Sequence, residues 1–256
     1  TDGVRDIVRN NAGTWQYNSN ATYTSETWAN ASTNTEVAAL REAMEGAVLV
    51  NYDLSDASYD SKSFNISSQT STAYGLAFSN DGTKMFIADS VNGEILEYSL
   101  SSTFDVSTAT YSQDFAIGSQ DSSPRGIKFN SNGTKLFLLG NANDSVYEYT
   151  LSTAFDISTA SYSQSFSVTS QDNDPRDLAF NNDGTIMVIA GDSSDSIYQY
   201  ALSTGFDIST ASYSSISLDV STQDSSPRGV VFADSGLVML VLGNTNDNVL
   251  QYSLST

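Results

Sequence analysis

The sequence predicts an all-β protein, because one module recurs four times and its apolar residues fall in short runs separated by polar turns. Two landmarks mark the copies. Phenylalanines recur at positions 78, 129, 180 and 232, and tyrosines at positions 98, 149, 200 and 252. Both series repeat at intervals of about 51 residues. Because two distant landmarks keep the same spacing, each copy is expected to occupy an equivalent place in the fold.

The second copy shows what one module contains. Residues 126–129 and 135–139 are apolar runs on either side of the polar turn 130–134, a pattern typical of a β-hairpin. Gly133 is expected in that turn because the turn needs a residue with positive φ. Residues 145–151 alternate as a third strand, and residues 162–168 form a fourth. Four antiparallel strands in about 50 residues are the anatomy of a propeller blade, so we predict a four-bladed β-propeller.

The copies are out of phase with the chain ends. The last copy stops after its third strand, at residues 248–254, whereas residues 52–66 match a fourth strand that has no blade before it. We therefore predict that residues 52–67 pair with the strand ending at Leu254 and latch a closed ring of four blades. The alternative is that this strand is donated to a neighbouring subunit, which would give a larger ring or a filament.

Residues 1–51 differ from the propeller repeats of residues 52–256. Trp15, Tyr17 and Trp28 lie in a polar stretch that predicts an extended arm or a docking strand. A capping box at residues 33–36 predicts a short helix over residues 35–45, which must pack on something to be stable. Its apolar face comprises Val37, Leu40 and Met44. We expect this segment to attach the protein to an assembly or to copies of itself; the alternative is that the helix caps the flank of the propeller.

The module resembles the propeller repeats of the TolB and WD-repeat-like kind. The strand Pro124-Arg125-Gly126-Ile127-Lys128-Phe129 runs into a hairpin turn, Asn130-Ser131-Asn132-Gly133-Thr134-Lys135, as in those repeats. The likeness covers residues 52–256 and implies the fold, while propellers carry many unrelated functions. The run Phe-Asp-Ile-Ser-Thr-Ala-Ser-Tyr at residues 155–162 also resembles, more loosely, tail-fibre and appendage proteins of marine bacteriophages.

Charge narrows the range of partners. The net charge is −20, with 10 Lys and Arg against 30 Asp and Glu. Such a chain is not expected to bind nucleic acid, which requires clustered cations, and anionic membranes are disfavoured for the same reason. No apolar run is long enough to span a membrane, so no insertion is expected. We expect a location on a virion or an extracellular surface. No cofactor and no metal site are expected, because the Asp- and Asn-rich loops lack the spacing of a calcium loop.

Candidate binding residues lie on the loops over one mouth of the channel. Three copies carry Arg125, Arg176 and Arg228 at the start of the first strand, where the first copy has Tyr74. The same three copies carry an Asp before this strand (Asp121, Asp172 and Asp224) and another in the second loop (Asp144, Asp195 and Asp247). The first copy has Thr70 and Gly93 instead. Because Arg and both Asp are lost together, the sequence suggests that they form one unit. Either each Arg is bridged by neighbouring Asp side chains, or the three Arg and Tyr74 grip a polar or acidic ligand such as a sugar.

The chain contains no histidine, the commonest general base. We therefore predict a non-enzymatic structural or binding protein of a virion or surface appendage. Its expected partners are other virion or appendage proteins, further copies of itself and a host glycan. The alternative is a secreted propeller enzyme, a glycan hydrolase or lyase using Asp and Arg at the channel mouth, or a self-assembling extracellular filament subunit.

Overall fold

The computed structural model describes the backbone of three short strands near the N-terminus, together with residues 58–233 and 236–254. The chain divides into two compact units, Thr1–Ala57 and Ser58–Thr256. In the first unit, β1 (Ile7–Arg9), β2 (Trp15–Asn18) and β3 (Trp28–Asn30) form one antiparallel sheet in chain order. The residues expected to mediate assembly thus fall partly on β2 and β3. The predicted helix at 35–45, with Val37, Leu40 and Met44, lies outside the described residues.

The second unit contains four antiparallel sheets, which we number as blades 1 to 4 in chain order. Blade 1 consists of β4 (Ala73–Phe78), β5 (Lys84–Asp89), β6 (Glu94–Leu100) and β7 (Ala109–Ala116). Blade 2 consists of β8 (Pro124–Phe129), β9 (Lys135–Gly140), β10 (Ser145–Leu151) and β11 (Ala160–Ser167). Blade 3 consists of β12 (Pro175–Phe180), β13 (Ile186–Gly191), β14 (Ser196–Leu202) and β15 (Ala211–Asp219). Blade 4 consists of β16 (Pro227–Ala233), β17 (Val238–Gly243) and β18 (Val249–Ser253). The predicted all-β propeller with four blades is confirmed.

The predicted turns are also confirmed. The hairpin glycines Gly82, Gly133, Gly184 and Gly236 all have positive φ, between 66° and 92°. In blades 1 to 3 a phenylalanine ring from the later link lies over this glycine, so that a Cβ on Gly133 would come within 2.3 Å of Phe155. Short 3₁₀ turns interrupt the links before β7, β11 and β15, at Val106–Thr108, Ile157–Thr159 and Ile208–Thr210. The links therefore fold back onto the hairpins of their own blades.

The repeated aromatic residues form the core between blades. Tyr149 is 1% exposed, and Phe115 of blade 1 meets it edge-on with the ring centroids 5.6 Å apart. Phe129 packs on Phe86 of the preceding blade at 4.6 Å. The same tyrosine contact recurs one blade later, where Phe166 lies 5.5 Å from Tyr200. The 51-residue spacing therefore reflects one blade-to-blade interface built repeatedly.

The first strands of the blades are neighbours along an arc: β4 packs on β8, β8 on β12, and β12 on β16. We call β4, β8, β12 and β16 the inner strands. Within the described residues no comparable contact joins β16 back to β4. The described blades therefore form an arc whose two ends do not meet.

The predicted latch is not formed in the part of the chain that the structure describes. Residues 58–67 contain no strand, β18 is a free sheet edge, and residues 52–57 lie outside the described residues. Instead, Phe64 packs on Tyr98 of blade 1 at 5.4 Å, as Phe115 packs on Tyr149. The segment thus occupies the place of an outer strand before blade 1, as its sequence indicates. It cannot reach β18 because blades 1 and 4 lie at opposite ends of the arc.

Candidate functional site

The inner strands carry the predicted binding residues at their second position, beside an irregularity in the strand pairing. In blade 3 the register shifts between Pro175 and Asp177, so Arg176 is the extra residue. Register shifts occur at the same place in the other three blades. A bulge bends the strand and redirects its side chain, and bulges are common beside active sites. Tyr74, Arg125, Arg176 and Arg228 therefore emerge at one end of the inner strands.

Two of the arginines share one carboxylate. The Arg176 guanidinium donates to Asp192 at 2.7 and 3.1 Å and to Asp174 at 2.5 Å, and Arg228 Nη1 lies 3.1 Å from the same oxygen of Asp192. Burial opposes the ionisation of Asp192. Hydrogen bonds from Ser226 and Arg176, together with the charges of both arginines, outweigh that effect and hold the pKa of Asp192 below its ordinary value. Asp192 is therefore a carboxylate fixed between two blades.

Arg125 has a different environment. Its guanidinium carbon lies 3.8 Å above the centre of the Tyr74 ring, a cation–π contact between blades 2 and 1. Its only side-chain hydrogen bond within the described residues is a long one to Asn141, at 3.5 Å, and its buried Nε and Nη1 have no partner there. Asp side chains thus bridge Arg176 and Arg228 but not Arg125, and the bridging residues are Asp174 and Asp192 instead of those predicted.

The three Asp residues predicted to bridge arginine from before the inner strands, Asp121, Asp172 and Asp224, do not do so. Asp121 is 1% exposed and accepts backbone N–H groups from Ser123 at 2.7 Å, Ala142 at 3.2 Å and Asn143 at 3.0 Å. Asp172 and Asp224 accept equivalent backbone bonds in blades 3 and 4. These carboxylates fasten the link before each inner strand to the turn after the second strand.

In blade 1 the link before the inner strand is also joined to the turn after the second strand, but the carboxylate comes from the second strand. Asp89, at the place of Gly140, accepts from the Thr70 hydroxyl at 2.5 Å and from the Val91 N–H at 2.9 Å. A side chain at Gly140 would overlap the Asp121 carboxyl, with the Cβ 2.3 Å from its carboxyl carbon. Only one carboxylate fits between these two positions. In blade 2 it belongs to Asp121, before the inner strand, and in blade 1 it belongs to Asp89, at the end of the second strand.

The second-loop residues have a backbone role. Asp144, Asp195 and Asp247 have φ of 47°, 51° and 53°, and Gly93 has φ of 65° at the same place in blade 1. This left-handed position favours Gly, Asn and Asp. Arg and the two Asp are thus lost together in blade 1 for separate reasons. The inference that they form one unit was wrong, because sequence spacing does not distinguish a shared contact from independent turn requirements.

The exchange between positions 121 and 140 can be tested by comparing a single variant with a double variant. We expect Gly140→Asp to lower the free energy of unfolding by more than about 3 kcal/mol, because it places a second buried carboxylate against Asp121. Asp121→Thr combined with Gly140→Asp reproduces blade 1 and is expected to recover most of that loss. Urea unfolding of both variants checks this. Equal stabilities of the single and double variants would contradict it.

The most distinctive inner-strand residue was missed by the sequence reasoning. Asp177 stands where the other blades have Gly75, Gly126 and Gly229. Its Oδ2 accepts from the Val230 N–H of blade 4 at 3.1 Å, and its Oδ1 accepts from its neighbour's N–H at 2.9 Å. A Cβ on Gly126 would lie 2.7 Å from Asp177 Oδ1, so glycine makes room for the carboxylate. The substitution of Gly by Asp in one copy of the Pro-Arg-Gly strand was the available signal.

The environment of Asp177 favours chemical reactivity. The side chain is 17% exposed, and burial raises the pKa of Asp177 although Lys128 and two backbone N–H groups favour the charged form. Lys128 Nζ, from the inner strand of blade 2, lies 3.7 Å from Asp177 Oδ1. A partly buried carboxylate with a raised pKa beside an ammonium group is a candidate general base.

This architecture of propeller blades, with polar groups on the inner strands, has counterparts among known proteins. Residues 49–208 match the family model described as "Lactonase, 7-bladed beta-propeller". The match covers more than half of the chain, and the protein belongs to this family. It includes Asp177, Lys128 and Arg176. The described part of the chain has four blades, where the family description has seven.

Solved structures with the same fold share little sequence identity with this chain. A protein from Bacteroides uniformis ATCC 8492, described as a "putative 6-phosphogluconolactonase", has a TM-score of 0.55 and 16% identity, covering 100% of this chain and 65% of its own. Another so described, from Bacteroides fragilis NCTC 9343, has a TM-score of 0.54 and 14% identity, covering 72% and 51%. A Lactobacillus plantarum protein has a TM-score of 0.51 and 14% identity, covering 72% and 54%. No curated protein sequence matches the chain.

These findings show a propeller, and this chain spans about half to two thirds of the length of those structures. The family match overturns the expectation of a non-enzymatic virion or appendage protein and favours the alternative of a propeller enzyme. The resemblance to phage tail fibres finds no support in these comparisons. The short polar run on which it depended lies in the link between strands, where Asp156 caps a 3₁₀ turn by accepting from the Ser158 N–H. Local turn chemistry therefore explains the run.

Proposed function

We propose that this protein hydrolyses a lactone, with Asp177 as the general base. The observation that carries the proposal is the replacement of an inner-strand glycine by one partly buried carboxylate in a single blade, beside Lys128 and within the segment that matches the lactonase family. A general base needs a pKa near the working pH, and burial raises the pKa of Asp177 in that direction. Absence of histidine is no obstacle, since a carboxylate can perform this role.

In the proposed reaction, the Asp177 carboxylate takes a proton from water as the water oxygen attacks the lactone carbonyl carbon. The carbonyl oxygen becomes an oxyanion, and Lys128 is the cation placed to stabilise it. The tetrahedral intermediate collapses with cleavage of the ring C–O bond. Asp177 then returns its proton to the ring oxygen, which leaves as a hydroxyl of the open-chain acid.

The neighbouring arginines indicate the substrate class. Arg176 precedes Asp177 on the same inner strand, β12, and Arg228 lies on the next inner strand, β16. Asp192 holds both guanidinium groups, and Asp174 also holds that of Arg176. Fixed guanidinium donors bind hydroxyl, carboxylate or phosphate oxygens. We propose a polyhydroxylated sugar-acid lactone as the substrate, in keeping with the two solved structures described as "putative 6-phosphogluconolactonase".

The proposal predicts catalysed acid release from gluconolactone or its 6-phosphate, measured by pH-stat titration against the spontaneous rate. The carboxylate form is active, and burial raises its pKa above 3.8. The value of kcat/KM should therefore fall with decreasing pH through a pKa above that of ordinary aspartate. A preference for the phosphorylated lactone would indicate that an arginine binds the phosphate. No rate above the spontaneous one with either lactone or with simpler γ- and δ-lactones would overturn the proposal.

A further inference from the structure

Arg176 of blade 3 is paired with two carboxylates whose positions are fixed by the backbone. One is Asp174, two residues before it, and the other is Asp192, 16 residues after it. The Asp192 N–H donates to the Asp174 carbonyl oxygen at 3.0 Å, so these two positions lie side by side. A blade that keeps this backbone bond has the same two positions beside the second residue of its inner strand.

Blade 2 keeps the backbone bond but has no carboxylate at either position. The Asn141 N–H donates to the Ser123 carbonyl oxygen at 2.9 Å, so these residues occupy the two carboxylate positions of blade 3. Arg125 therefore has a hydroxyl and an amide beside it, where the arginine of blade 3 has two negative charges.

The preceding blade does not supply a carboxylate to Arg125 either. In blade 4, Arg228 pairs with Asp192 of the blade before it, at 3.1 Å. For Arg125 the blade before it is blade 1, which has Ser90 at that position. The Ser90 N–H donates to the Thr72 carbonyl oxygen at 3.2 Å, the same backbone bond as in the other blades. Among the inner strands, all of which the structure describes, Arg125 is thus the arginine without a carboxylate partner.

The Arg125 guanidinium has unused donors. Its Nε and Nη1 are buried without a hydrogen-bond partner in the described residues, and Nη2 makes only the 3.5 Å contact with Asn141. Buried donors of a charged group are costly to leave unpaired, and two parallel N–H bonds to one carboxylate satisfy them well. The Tyr74 ring lies over the guanidinium at 3.8 Å. Because Tyr74 is 49% exposed, it can turn aside for a ligand without disturbing the core.

We propose that Arg125 binds the carboxylate of a small organic acid between blades 1 and 2. The ligand takes the place of the Asp carboxylates that hold the other two inner-strand arginines, and it accepts from Nη2 and from one of the two unpartnered nitrogens. The net charge of −20 disfavours general accumulation of anions, so binding of the acid depends on this local cation. The inference concerns equilibrium binding and does not depend on the proposed hydrolysis.

The test titrates the full chain with acetate and with gluconate, while sodium chloride keeps the ionic strength constant. NMR follows the side-chain Nε–H signals of the arginines and the backbone amides of Ser123 and Asn141. We expect the Arg125 signal, identified by its loss in Arg125→Gln, to shift and saturate. The two amides should respond in the unmodified protein and not in Arg125→Gln. Tighter binding of gluconate would assign the ligand to the sugar acids, and equal binding would assign recognition to the carboxylate alone.

A carboxylate supplied by the chain should compete with the acid. Ser123→Asp reproduces the pairing of blade 3 and is expected to weaken binding of both acids at least about tenfold, because the new side chain occupies the guanidinium. Ser163→Asp is the matched control: it adds the same charge at an exposed residue of the outer strand β11 and should leave binding unchanged. The proposal is overturned if neither acid gives a saturable shift, if both Asp variants weaken binding equally, or if inorganic phosphate alone binds.

Discussion

Asp177→Asn is expected to lower kcat/KM for lactone hydrolysis by about 10²- to 10⁴-fold, because it removes the proposed proton acceptor while keeping the side-chain shape. The arginines proposed to bind the substrate remain in place, so KM should change less than kcat. The pH dependence assigned to Asp177 should disappear from the residual rate. Steady-state kinetics from about pH 4 to pH 8 measure all three effects.

A carboxylate of blade 3 outside the inner strands provides the control. Asp219→Asn changes a residue on the outer strand β15, where Asp219 accepts the Ser221 N–H at 2.8 Å. It should leave the rate unchanged. Circular dichroism of both variants should match that of the unmodified protein. An Asp177→Asn protein with full activity and the original pH profile would rule out the proposed general base.

Lys135→Ile is expected to destabilise the propeller by about 3 kcal/mol, because it leaves the buried Glu148 carboxylate without its cation. Glu148 is 2% exposed and lies 2.8 Å from Lys135 Nζ. It also accepts from Gln164 and from the Ile208 N–H of blade 3, at 2.8 and 3.2 Å. These two bonds cannot neutralise the charge. Thermal and urea unfolding should both show the loss.

The chain itself supplies the compensating variant. Blade 3 has Ile186 and Gln199 at the positions of Lys135 and Glu148. Lys135→Ile combined with Glu148→Gln is therefore expected to recover most of the lost stability, short of the bond that Lys135 donates to the Phe206 carbonyl at 2.6 Å. If the double variant is no more stable than the single one, the destabilisation comes from lost packing instead of the unpaired carboxylate.

The aligned copies predict much of the local structure. The strand expected at residues 145–151 is β10 without a shift, and the turn glycines have the expected positive φ. The fourth strand begins earlier than expected, at Ala160 instead of residue 162. These features depend on side-chain alternation and turn conformation, which act within a few residues and are therefore visible in sequence.

The site was only partly predictable. Repetition drew attention to the residues common to three copies, and Asp121 and Asp144 proved to stabilise backbone links and turns. Asp177 occurs once, and its proximity to Lys128 and Val230 joins three blades that are far apart in sequence. Such contacts depend on the packing of whole blades.

By itself, the sequence determined the blade as a unit, the number of copies and the presence of an unmatched fourth strand at residues 52–66, because hydrophobic period and turn chemistry are local. Only the tertiary structure decided how the copies are placed. The angle between adjacent blades arises from packing at interfaces such as Phe129 on Phe86, and it leaves Leu76 and Leu242 exposed at two separated ends. An alignment of repeats shows how many blades there are but not the angle between adjacent blades. For this reason it predicted a closed ring, whereas the described blades form an open arc.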